Sequence, residues 1–170
     1  GGGTRGECSA RTLVHLVPEN SVFAPGTTGT LGLVQGPTAN PVSLELSFQP
    51  EAGGSGTTRT LPAAPASLTL ISSSATTAPT IWESNFNCAT GDGGDSLQDP
   101  LAFVQTASPP VLSLLLPDVE PVDQPVQRAL TTLRAKCGGG VPAAQTLAQF
   151  GLDDLVTDEW PEQLPVRCPS

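Results

Sequence analysis

The sequence predicts a mainly β protein, a two-sheet sandwich carrying a small helical C-terminal appendage. Three observations predict it. Short apolar runs recur between turns rich in Pro, Gly and Ser. Val42, Leu44, Leu46 and Phe48 alternate strictly with Ser43, Glu45, Ser47 and Gln49. Beyond Pro121 the apolar spacing changes from two residues to three and four. Period two gives a strand one buried and one wet face, and spacing of three and four gives a helix one apolar stripe.

The first strand is expected over residues 11–17, where Leu13, Val14, Leu16 and Val17 are apolar and Pro18 ends the run. A turn-rich stretch through Val22, Phe23 and Pro25-Gly26 follows, and a second strand around Leu31 and Leu33 stops at Gly36-Pro37. The alternating segment 42–48 is the third, closed by Pro50 and the Gly53-Gly54-Ser55-Gly56 loop. Residues 58–61, 67–72 and 80–86 are each short and bounded by Pro, Gly or Ser, and 101–106 and 111–116 complete the β region. Because Val111-Leu112-Ser113-Leu114-Leu115-Leu116 is apolar on both faces, it is expected in the middle of a covered sheet.

Residues 124–136 read as a helix. Val126, Ala129, Leu130, Leu133 and Cys137 share one stripe, Asp123 can cap it, Pro125 suits the first turn, Arg134 and Lys136 suit the last, and Gly138-Gly139-Gly140 stops it. The stripe Val126, Leu130, Leu133 then serves either as core or as a docking face for a partner. A second short helix is expected from Pro142 to Gly151 with Leu147 and Phe150 inward. The acidic tail that follows, with Asp153, Asp154, Asp158, Glu159 and Glu162 around Leu155, Val156 and Trp160, can bury apolar groups beneath a solvated face. The expected division is a sandwich over residues 1–120 and a helical, disulfide-closed appendage over 121–170.

Val22-Phe23-Ala24-Pro25-Gly26, Leu31-Gly32-Leu33 and Val42 to Phe48 place an apolar strand, a Pro-Gly turn and alternating strands in succession. In this the segment 17–48 resembles immunoglobulin-like sandwich modules of microbial surface proteins. The resemblance implies an immunoglobulin-like sandwich. The Cys, Trp, Cys order of antibody-type domains does not occur, since Trp82 precedes Cys88 and no earlier strand cysteine faces it.

Composition narrows the function classes. With 7 basic against 16 acidic residues and a net charge of −9, the chain repels phosphate backbones, so neither nucleic acid nor an anionic lipid surface is an expected partner. No apolar run approaches the roughly 20 residues that span a bilayer, so direct membrane insertion is not expected, and Gly1-Gly2-Gly3-Thr4-Arg5 reads as a mature or trimmed end. Cys8, Cys88, Cys137 and Cys168 lack the close pairing of a zinc site and read as two disulfides, which implies an extracellular, cell-surface or periplasmic location. Spacing does not choose among the three connectivities. The preferred pairing joins Cys137 to Cys168, closing the C-terminal segment, and Cys8 to Cys88.

Candidate chemistry is sparse. His15 is the only histidine, so any Ser-His or Cys-His mechanism runs through it, and its position inside the first strand points to a structural role. Asp92, Asp95 and Asp99 cluster in a Gly-rich loop, the raw material of a calcium site, though without the EF-hand order. No other cofactor is expected. Glu45 and Glu83 could join those aspartates as paired carboxylates only by convergence in space. With no Tyr and two Trp, carbohydrate platforms are few, so a protein partner, copies of the chain itself included, ranks ahead of a sugar. The expected function is a non-catalytic extracellular module for adhesion or for building a surface assembly. The alternatives are a secreted hydrolase or metal-dependent enzyme, and a soluble ligand-binding or inhibitory domain.

Overall fold

The computed structural model describes residues 12–73, 76–87 and 110–169. Within them the chain forms ten strands: β1 (Leu13–His15), β2 (Val22–Phe23), β3 (Thr30–Gln35), β4 (Leu44–Pro50), β5 (Thr57–Leu61), β6 (Ser67–Ser72), β7 (Thr80–Phe86), β8 (Val111–Leu115), β9 (Gly140–Pro142) and β10 (Gln163–Arg167). Helices α1 (Asp123–Arg134) and α2 (Ala143–Ala148) lie between β8 and β10. Sheet 1 has the order β1-β3-β6-β10-β9 and sheet 2 the order β2-β8-β7-β4-β5. The two pack face to face as a β-sandwich, the fold class the sequence predicts.

The first predicted strand forms in sheet 1, and a second, short strand follows it in sheet 2. β1 pairs antiparallel with β3, the chain turns at Pro18 to Ser21, and β2 joins sheet 2 parallel to β8. Ser21 takes the left-handed conformation (φ 62°) that lets the chain cross, and its carbonyl accepts the Leu114 N–H at 2.9 Å. Val22 and Phe23, read from sequence as turn, therefore form a strand. The predicted strand 101–106 lies outside the described residues.

Register sets which residues face the core. His15 pairs with Leu33 and reaches across to sheet 2, so Leu33 and Leu31 face inward. Gly32 faces the other way, where a methyl group on it would meet Leu130 of α1 at 2.8 Å. Every residue of β3 and the first five of β6 are buried, because sheet 2 covers one face and the C-terminal segment the other. Leu68, Leu70, Leu130, Leu133, Val141, Leu147, Leu164 and Val166 belong to the same buried cluster as the inter-sheet residues Leu46, Trp82 and Leu115.

The segment after residue 120 is more than helical. β10 runs parallel to β6 through Val166↔Leu68 and Arg167↔Thr69, and β9 pairs antiparallel with β10. The three glycines stop α1, as expected, and also enter the sheet: Gly138 N–H donates to the Val166 carbonyl at 2.9 Å and Val166 N–H to the Gly139 carbonyl at 2.8 Å. Gly138 has φ +82°, a conformation that suits glycine after a helix.

Two local expectations are corrected. Asp123 does not cap α1 by its side chain. Its buried carboxylate accepts the N–H groups of Glu120 (2.8 Å) and Ala24 (3.2 Å), and Gln127 Nε2, one turn on, donates to the Ala24 carbonyl at 2.7 Å. The helix thereby satisfies both backbone groups of the residue that follows β2. Nor is β8 covered on both faces. It lies between β2 and β7, but Leu112 is 51% exposed, since among the described residues the helices pack on sheet 1 and not on the outer face of sheet 2.

Candidate functional site

His15 is the one candidate for acid–base work, and it is sealed between the sheets. Its Nδ1 lies 2.7 Å from Ser113 Oγ and its Nε2 2.8 Å from Ser84 Oγ, while the ring stacks on Trp82 with centroids 3.5 Å apart and planes 4° from parallel. The local pattern explains the site. Ser84 and Trp82 alternate inward on β7, Ser113 faces inward on β8 beside Trp82, and β1 delivers His15 opposite them. A neutral imidazole has one donor and one acceptor nitrogen, and a hydroxyl serves either, so the three side chains satisfy one another.

The geometry closes this trio to solvent. His15 is 3% exposed, Ser84 is fully buried, and Ser113 is nearly so, leaving no face of the trio for a substrate. Burial pushes the imidazole pKa down to about 3, so the ring stays neutral and is a weak base at neutral pH. Trp82 Nε1 is buried with no hydrogen-bond partner among the described residues, as is Thr69 Oγ1. Phe48, paired with Trp82 across β4 and β7, holds its ring 9° from parallel to the indole with centroids 6.2 Å apart.

Of the remaining sequence candidates, Glu45 and Glu83 are diagonal neighbours on paired strands. Glu45 and Glu83 sit on the outer face of sheet 2, where Glu45 pairs with Asn85 and Glu83 with Ser47. Asp92, Asp95 and Asp99, together with Cys8 and Cys88, lie outside the described residues. Among the described residues no three His, Cys, Asp or Glu side chains come together as a metal site. Val126, Leu130 and Leu133 are buried against sheet 1, so that stripe is core, whereas Cys137 is exposed past the end of the helix. The disulfide Cys137–Cys168 forms, with Cα atoms 5.7 Å apart, and ties the end of α1 to the end of β10. Closing 31 residues in this way stabilises the fold by about 3 to 4 kcal/mol in the chain-entropy model.

Sequence reasoning missed two surfaces. On the outer face of sheet 2, Leu112 and Ile81 (38% exposed) stand in solvent beside half-buried Val22 and Leu114. The doubly apolar run 111–116 is the sequence signal for it, but whether a sheet face is covered is decided by where the helices pack. The second surface is a cavity of about 530 Å³ at the end of the sandwich where β4 stops and β5 starts. Its lining is spread over residues 48–115, so no local motif announces it. No protein-family model, curated protein or solved structure matches this chain. Among the described residues no helix is long and apolar enough to cross a membrane.

Proposed function

We propose that this chain is a non-catalytic module that works by protein contact in an oxidising, extracellular-type compartment, as an adhesion domain or a structural subunit of a surface assembly. The observation that carries the reading is the contrast between the two sheets. The outer face of sheet 1 is buried under the C-terminal segment, while sheet 2 offers Leu112 and Ile81 to solvent on its strand-paired face. An exposed apolar cluster on a sheet face is a mark of a contact site. The sealed His15 supports a role outside catalysis, and the Cys137–Cys168 bond is compatible with an oxidising location.

Strand order supports the immunoglobulin-like reading. With the strands lettered as in those domains, β1, β3 and β6 stand in the order A-B-E and β8, β7 and β4 in the order G-F-C, with β5 beyond C. β10 occupies the place next to E where strand D would stand, but parallel to it.

Light scattering on the eluting chain tests the proposal. The native chain is expected to shift toward a dimer or larger species with concentration, and Leu112→Glu to remain monomeric with unchanged thermal melting. A native chain that stays monomeric throughout and binds no immobilised matrix or surface protein contradicts it.

A further inference from the structure

The cavity at the end of the sandwich differs from the rest of the interior in what its walls carry. Its floor is apolar, made by Phe48 of β4, Ile71 of β6 and Leu115 of β8, the last two almost fully buried. Its walls carry hydroxyls, among them Thr57 and Thr80, and one cation, Arg59. Register explains why the space stays open. Fully buried Leu46 pairs with Arg59 and half-buried Phe48 with Thr57, so both β5 residues share the inward face at an edge strand where a sandwich ordinarily places large apolar groups.

Arg59 is the decisive group. Its Nη2 donates to the Pro169 carbonyl at 3.1 Å, linking sheet 2 to the chain just past β10, and no carboxylate pairs with it among the described residues. A guanidinium has five N–H donors in a planar fork that matches a carboxylate. Among the described residues the cavity is lined by no Asp or Glu, in a chain of net charge −9. A guanidinium with no carboxylate partner among the described residues, above an apolar floor, selects for an anion with an apolar body, and the volume falls within the usual range of small-molecule pockets.

We infer that this cavity is a binding site for a small amphipathic carboxylate, its chain on Phe48, Ile71 and Leu115 and its carboxylate on Arg59. The inference is independent of the protein-contact proposal, because the cavity opens between the sheets and Leu112 lies on the outer face of sheet 2.

Isothermal titration calorimetry on the full chain, with sodium decanoate and with decan-1-ol as the uncharged match, tests it. Decanoate is expected to bind one to one, at least tenfold more weakly to Arg59→Gln, while decanol binding is the same in both. Thr57→Trp, an exposed rim position, is expected to plug the mouth and abolish binding of both probes. Circular dichroism melting identifies any variant that fails to fold. If Arg59→Gln does not fold, Arg59→Lys replaces it and is expected to keep decanoate binding within a few fold. Absence of saturable decanoate heat with the native chain overturns the inference. So does equal decanoate affinity in the native chain and a folded Arg59→Gln, or in the native chain and Thr57→Trp.

Discussion

At the scale of single residues, the clearest constraint is the absence of a side chain at Gly32. A methyl group there would lie 2.8 Å from Leu130 Cδ2, 3.0 Å from Leu16 Cδ1 and 3.2 Å from Leu70 Cδ2, all three leucines buried. One side chain could give way, but three packed around one point cannot all move outward. Gly32→Ala should therefore cost about 1 to 3 kcal/mol, the usual penalty of overpacking, measured as the shift in urea unfolding midpoint at constant slope. A neutral substitution would mean that α1 packs less closely on β3. The sequence displays Gly32 between two leucines but not this reason for it, since Leu16 and Leu130 reach the same spot from distant parts of the chain.

At the scale of elements, α1 is held by its surroundings more than by its own propensity. A helix of 12 residues is marginal alone in water. It is docked by Val126, Leu130 and Leu133, by Asp123 and Gln127 on the Ala24 backbone, and by Arg134, which donates to Thr30 Oγ1 (2.6 Å) and Ser72 Oγ (3.2 Å) on paired strands. Leu130→Ala should cost about 2 to 5 kcal/mol. It should also relieve the crowding at Gly32, so the double variant with Gly32→Ala should be less destabilised than the two single losses added together. Strict additivity in denaturant melts would show that the two sites do not touch. The stripe itself was legible from its spacing, and so was the alternation 42–48, because both patterns are local. β9 and β10 were not. Gln163 to Arg167 contains Pro165 and only two buried apolar residues, and it becomes a strand because β6 offers it an open edge. β2 is illegible for a similar reason, since Val22 and Phe23 gain their ladder only from β8.

At the scale of the whole molecule, His15 is a polar bridge between the two sheets, sealed from solvent, while the cavity at the end of the sandwich opens between them. The sequence showed that His15 was the sole histidine and lay in a strand; its partners Ser84 and Ser113 are 69 and 98 residues away, and nothing local marks them. Burial has a consequence for pH. Because the folded chain holds the imidazole neutral down to about 3 while the unfolded chain protonates it near 6.5, the unfolded state binds the extra proton. Stability is thus intact above pH 6.5 and falls as pH drops from there toward 3, by up to about 1.4 kcal/mol per unit. His15→Phe should lower stability at pH 7, leaving two buried hydroxyls unpaired, yet flatten the slope between about pH 6.5 and 5, above the carboxylate range. The most direct measurement is an NMR titration of the His15 ring nitrogens in the folded, nitrogen-15-labelled chain. The ring is predicted to remain a neutral tautomer with unchanged shifts from pH 7 down to pH 5; an imidazole that titrates near pH 6.5 while the chain stays folded would show it open to solvent and contradict the account.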